Sequence, residues 1–204
     1  MRNKVLLATP QDEYELMRPD LTYIDLPHHV SLHEPTQKIE FVYFPSRGMV
    51  TQVVVTKDGR TVEVGVVESE GYVGAGLAAG LSRSSVREII QIAGDGFRMM
   101  GNALERILRS APQLQMILSR HAGLQGMQVA QTEACNRLHD IQQRLSRWLL
   151  MTQDRVHSGV LPITHDFIAT MMGTDRSTVS VAASVLQKQG IIDYVRGAVR
   201  PSLR

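Results

Sequence analysis

GTDRSTVSVAASVLQKQG, residues 173–190, opens on a glycine and polar residues and then runs about four turns without a helix breaker. Thr174 is placed to cap that helix. At 100° per residue, Val179, Ala182, Ala183 and Leu186 fall on one side, at i, i+3, i+4 and i+7. Ser177, Ser180, Ser184 and Lys188 fall on the other, with Val181 beside them and Arg176 at the N-terminal edge. Just upstream, HDFIATMM (165–172) reads as a short helix, with Thr164 as its cap and Asp166 in its first turn. Gly173 supplies the left-handed residue that ends it. Two helices joined by a short turn containing glycine form a helix-turn-helix. The small alanines let the second helix approach its support closely, and beyond Asp175 its outer face carries no acid. Hydroxyls, an arginine and a lysine suit phosphates and base edges in a major groove. IIDYVRGAVR (191–200) follows as strand, turn at Arg196-Gly197 and strand, the pattern of a wing.

The rest of the 204 residues bounds what this helix pair serves. Hydrophobic content of 43% and charged content of 21% describe an ordinary globular chain. No charged segment precedes an apolar one at the start, and no eighteen-residue apolar run occurs, so neither a signal peptide nor a membrane span is expected. Cys135 is the single cysteine, which leaves no intramolecular disulfide, four-thiolate iron–sulfur cluster or multi-cysteine zinc site, and points to a cytoplasmic protein. Charge is uneven: residues 1–100 hold ten Lys/Arg against thirteen Asp/Glu, and residues 101–204 hold twelve against seven. The basic half is the one that ends in the helix-turn-helix, as a polyanion partner requires.

Upstream, the period is two. EFVYFP (40–45), GMVTQVVVT (48–56), RTVEVGVV (60–67) and VREIIQIA (86–93) read as strands, with SRG (46–48) and KDG (57–59) as hairpin turns. EGYVGAGLAAGLSRSS places Gly71, Gly74, Gly76 and Gly80 within ten residues, where the backbone turns tightly or approaches something closely. Short strands with regular turn signals suggest a small barrel or jelly roll. Near residue 100 the period lengthens. Asn102 is placed to cap ALERILRS, and Pro112 suits the first turn of a helix running to about Cys135, roughly 24 residues or ~36 Å. Leu114, Ile117 or Leu118, His121, Leu124, Gln128 and Gln131 follow one stripe of it. That stripe, with Leu114, Ile117, His121 and Leu124 at its centre, is expected to be a dimer seam, with polar His121 and Gln128 setting register. A further helix over about 137–153 turns Leu138, Ile141, Leu145, Trp148, Leu149 and Met151 inward and Arg137, Arg144, Arg147 and Arg155 to solvent. The expected fold class is α+β: a β jelly-roll over 1–100, connecting and dimerisation helices over 101–135, and a winged helix-turn-helix over 136–204.

ACNRLHDIQQRLSRWLLMTQDR and LPITHDFIATMMGTDRSTVSVAASVLQKQGIIDY resemble the bacterial CRP/FNR family of transcription regulators, most closely over 134–197 and collinearly from residue 20, through VYFPSRGMV and the glycine-rich loop. The resemblance implies a cyclic-nucleotide-binding-like jelly roll, a homodimer on a roughly palindromic double-stranded DNA operator and, for an activator, contact with RNA polymerase. It implies base reading by Arg176, a phosphate contact from Thr178 and Thr164 as the cap of the supporting helix. From the polar face itself, Ser177 and Ser180 are expected as shorter-range readers, and Thr164 and Lys188 as phosphate contacts beside Thr178. Ser177 and Val181 stand where the family's best-known pattern carries Glu and Arg, so a different operator is expected. An effector site would fall on Gly74, Ala75, Arg83 and Ser84. Ala75 replaces the glutamate that accepts from a ribose hydroxyl, which argues against a cyclic nucleotide, and no cofactor is identified. The family's wing usually continues further than RPSLR, which puts the second wing strand in question.

Two other classes compete. A metal-dependent, cupin-like barrel enzyme would draw on His28, His29, His33, Glu34 and Glu40, but an adjacent His pair between Pro27 and Pro35 lacks the alternate spacing of inward-facing ligands. Cys135 and His139 sit four apart on one helical face without a pocket or oxyanion hole to make them a nucleophile and base. A ligand-sensing subunit that binds no DNA would instead present an apolar outer face at 176–188.

Overall fold

The computed structural model describes residues 2–156, 159–161, 163–195 and 197–202, with only the backbone of 155 and 156. Arg196 at the expected wing turn and the side chain of Arg155 lie outside the described residues. The chain forms two compact units, residues 1–54 with 64–129, and residues 55–63 with 130–204.

The first unit begins with α1 (Lys4–Ala8) and α2 (Gln11–Met17), followed by β1 (Thr22–Leu26), β2 (Ser31–His33), β3 (Phe41–Val55), β4 (Thr61–Val67), whose residues 61–63 belong to the second unit, and β5 (Arg87–Met100). The sheet order is β1-β5-β3-β4, and β2 also pairs with β5. The expected break at 46–48 does not occur: β3 runs through it, shifting register against β5 between Pro45 and Arg47, Arg47 and Met49, and Met49 and Val50. Gly48 makes this possible with φ +84°, and a Cβ there would meet the Ile92 carbonyl oxygen at 2.5 Å. A bulge, not a hairpin, therefore bends the strand. β5 likewise extends past the expected residue 93, because Gly94 and Gly96 let the β3 backbone come closer than any side chain would allow.

Helix α3 (Gly101–Leu108) starts one residue ahead of Asn102, its expected cap. A Cβ at residue 101 would stand 2.7 Å from the Ile39 carbonyl oxygen, so glycine opens the helix there and Asn102 falls inside it. Helix α4 (Pro112–Leu138) is capped from a distance. The Glu13 carboxylate of α2 accepts from the backbone N–H of Gln113 at 3.1 Å and Leu114 at 2.6 Å, supplying partners and negative charge at the helix N-terminus.

The core of this unit decides which face of α4 is free. Leu114 and Leu118 are completely buried with Leu6, Met17, Phe44, Tyr72 and Leu104. His121 is buried too: its Nε2 accepts from the Tyr72 backbone N–H at 3.4 Å, and burial lowers its pKa. A Cβ on Gly71 would overlap the imidazole, so glycine is what admits that ring. Gln128 Oε1 accepts from the Val66 backbone N–H at 3.4 Å. Leu114 and His121 therefore leave the expected seam, since the same stripe is what holds α4 on its own sheet. Ile117 is half-buried against the core. Leu124 alone of the four stays exposed, at 63%, and it borders a face with Met116 and Met127.

In the second unit, α5 (Ile141–Val156) opens with a capping box: Asp140 Oδ1 accepts from Gln143 N at 2.9 Å, and Gln143 Oε1 accepts from Asp140 N at 3.1 Å. Leu145, Trp148 and Leu149 are buried as expected, but Leu138 is 78% exposed because it belongs to the end of α4. Arg144 is half-buried, not wet: it donates to Asn136 Oδ1 at 3.1 Å and to the Met172 carbonyl at 2.8 Å. Helices α6 (His165–Met172) and α7 (Arg176–Lys188) follow, then β6 (Ile192–Val195) and β7 (Ala198–Pro201). The second wing strand forms, paired antiparallel from Val195↔Ala198 to Ile192↔Pro201, with Gly197 at φ +81° beside the turn.

Candidate nucleic-acid interface and barrel cavity

The helix pair is built from its caps. Thr164 Oγ1 accepts from Phe167 N at 3.2 Å, starting α6, and Gly173 ends it at φ +62°. The cap of α7 is Asp175, not Thr174. Its carboxylate lies three residues ahead of Thr178 and accepts from that residue's N–H at 2.9 Å and hydroxyl at 2.8 Å, and from the Ser177 hydroxyl. The Ser177 bond, then the two from Thr178, hold the Asp175 carboxyl down to about 2. The hydroxyls of Ser177 and Thr178 are thus turned toward their own cap.

Along α7, Val179, Ala182, Ala183 and Leu186 are buried, whereas Arg176, Ser177, Val181, Ser184 and Lys188 are exposed. Ser180 departs from its expected place. It is half-buried, and its hydroxyl shares a 2.9 Å hydrogen bond with His165 Nδ1. The His165 ring also stacks on Tyr194 at 4.0 Å, so one imidazole ties α6 to α7 and β6. Burial, then the charge of Arg176, lowers its pKa. Nothing in the sequence marks His165, because its partners lie 15 and 29 residues away. Arg176 Nε stands 3.5 Å from Asp166 Oδ2 with both side chains 68% exposed. A pair that open to solvent is worth at most about 1 kcal/mol, so the guanidinium is easily released to another acceptor. Lys188 is exposed in the last turn of α7.

In the first unit, Gly74, Ala75, Arg83 and Ser84 all line one cavity of about 210 Å³. Gly74 holds φ +90°, Arg83 donates to the Thr36 carbonyl at 2.6 Å, and Ser84 Oγ donates to the Val86 carbonyl at 2.8 Å. Gln52 and Glu88, which no sequence motif marks, also line it. The Glu88 carboxylate is buried, 2.5 Å from His33 Nδ1, and accepts from Gln52 Nε2 at 2.7 Å. An anion placed here would meet Arg83 but also this carboxylate.

The other candidates separate. His33 is buried in the barrel network, Glu34 pairs with Arg87 at 2.7 Å, and His28 stacks on His29 in a turn. Among the described residues, no group of three or more His, Cys, Asp or Glu is placed to hold a metal ion. Cys135 is buried, with Gln131 Nε2 3.3 Å from its sulfur, and His139 is exposed beyond the end of α4. No described helix is long and apolar enough to cross a membrane.

Residues 143–201 match the family model of the Crp-like helix-turn-helix domain. No curated protein matches the chain. Among solved structures, the chain is similar to the c-di-GMP responsive global regulator CLP of Xanthomonas campestris, at 14% identity and TM-score 0.80 over 96% of this chain and 100% of that one. It is similar to FixK2 from Bradyrhizobium japonicum, at 17% identity and TM-score 0.75 over 90% and 93%. A transcriptional regulator of the CRP/FNR family from Thermus thermophilus matches at 18% identity and TM-score 0.73 over 88% and 93%. At these identities the likenesses show the fold.

Proposed function

We propose that the chain, whose residues 143–201 match the Crp-like helix-turn-helix domain, is a CRP/FNR-type transcription regulator that binds a roughly palindromic operator as a homodimer and reads each half-site with α7. The observation that carries this reading is the outer face of α7: Arg176, Ser177, Val181, Ser184 and Lys188 are uncovered, while the opposite stripe is buried. Arg176 makes the specific base contact and Ser177 a shorter one. Thr164, Thr178 and Lys188 serve phosphates, with the Thr178 hydroxyl exchanging its bond to Asp175. Ser180 acts through His165 on the set of the helix instead of reading bases.

The two reading helices enter successive major grooves about one helical turn, ~34 Å, apart. The dimer face is the exposed side of α4 around Leu124 and Met127. The barrel cavity is where a small effector biases DNA binding. Ala75 and the buried Glu88 disfavour a cyclic phosphate there. As an activator the dimer would also meet RNA polymerase.

Selection of bound sites from random duplexes, followed by a salt series, tests the reading. A palindromic consensus with affinity falling steeply in salt is expected. Recovery of no consensus, or salt-insensitive binding, refutes it.

A further inference from the structure

We propose that Glu63 is a positioning residue for the DNA-reading unit, holding α5 and the turn before α7 against strand β4 by accepting from the Trp148 indole. This rests on the reading of α7 as the DNA-contacting helix.

Glu63 and Trp148 are 85 residues apart, both over nine-tenths buried, and joined by a 2.8 Å hydrogen bond from Nε1 to Oε1. Trp148 sits in the middle of α5, where Thr152 Oγ1 also donates to its carbonyl at 2.9 Å. Four residues earlier, Arg144 donates to the last carbonyl of α6, so α5 and the end of α6 move together. Val62, next to Glu63, reaches the turn directly: a Cβ on Gly173 would stand 3.3 Å from Val62 Cγ2. Two consecutive residues of β4 therefore grip the helix-turn-helix, one through α5 and one at the glycine from which α7 departs.

The next residue, Val64, faces away from Glu63. Successive side chains of a strand alternate faces. Val64 lines the barrel cavity, together with Gln52 on β3.

Trp148 is the only tryptophan, so its fluorescence reports this contact without labelling. The test compares wild type, Glu63→Gln and Glu63→Ala by acrylamide quenching and by fluorescence anisotropy on the selected operator and on a scrambled duplex at one salt concentration. In Glu63→Ala, a buried donor loses its acceptor. Quenching is expected to rise and operator affinity to fall about five- to a hundredfold, with little change on the scrambled duplex. Glu63→Gln, whose amide oxygen still accepts, is expected to retain most of both. Glu63→Ala with wild-type preference overturns the proposal, as does Glu63→Gln being equally weak. If Glu63→Ala is poorly folded by circular dichroism, the cycle of Glu63→Gln with Trp148→Phe, read by duplex anisotropy, decides. Glu63→Gln having no further effect once Trp148 is Phe supports the bond, and additive losses overturn it. Wild-type protein with no preference for any duplex refutes the DNA reading itself, and is told apart because it appears in the parent.

Discussion

Arg176→Ala isolates base reading from everything else α7 does. In the free protein, Arg176 makes one ion pair, to Asp166 at 3.5 Å with both partners 68% exposed, so its removal costs the fold at most about 1 kcal/mol. A good bidentate arginine–guanine contact is worth about 1–3 kcal/mol of discrimination. With one Arg176 in each half-site, the loss on a full operator is about 2–6 kcal/mol. That is a fall of roughly thirtyfold or more in operator affinity. On a scrambled duplex, the guanidinium contributes only its charge, so the loss there is expected to be several times smaller. Anisotropy titrations on both duplexes across a salt series separate the two. Lys188→Ala is the contrast, expected to weaken both duplexes alike and to reduce the salt slope by about one. Equal weakening of both duplexes by Arg176→Ala would show that Arg176 serves the backbone, and the base-reading argument would be wrong.

Leu124→Glu with Met127→Glu is expected to convert a dimer to monomers in sedimentation velocity, because both side chains are exposed on α4. Leu114→Ala, fully buried in the protomer, should instead lower stability by about 2–5 kcal/mol in urea unfolding. Glu13→Ala leaves the first N–H groups of α4 without their acceptor. It should cost about 1–3 kcal/mol and raise amide exchange at Gln113 and Leu114 first. Burial depresses the His121 pKa, so the unfolded chain takes up the proton more readily. The resulting stability is fully present above the unfolded value near 6.5 and falls as pH drops below it toward the folded value. His121 Cε1 shifts that titrate at about 6.5 in the folded protein would contradict that placement.

The winged helix is legible because its signals are local. A glycine at the left-handed position, a capping hydroxyl and an apolar stripe at i, i+3, i+4 and i+7 all lie within thirty residues, and Gly173, Thr164 and Leu186 do what that pattern requires. The α7 cap reads one residue early, since Thr174 and Asp175 are both good caps and only backbone geometry chooses between them. The barrel cavity is half legible. Its glycine-rich loop is a continuous stretch, whereas Gln52, Glu88 and His33 come from three separate strands.

The amino-acid order by itself determined the change from strands to helices near residue 100, the helix-turn-helix and which face of α7 lacks acid, because periodicity and caps act over a few residues. Tertiary structure alone decided which stripe of α4 is free, who caps it, and that residues 55–63 pack with the C-terminal unit. Leu114, His121, Glu13 and Glu63 all take their roles from partners 49 to 101 residues away or from the shared core, and an apolar or polar side chain looks the same in sequence whichever distant surface it meets.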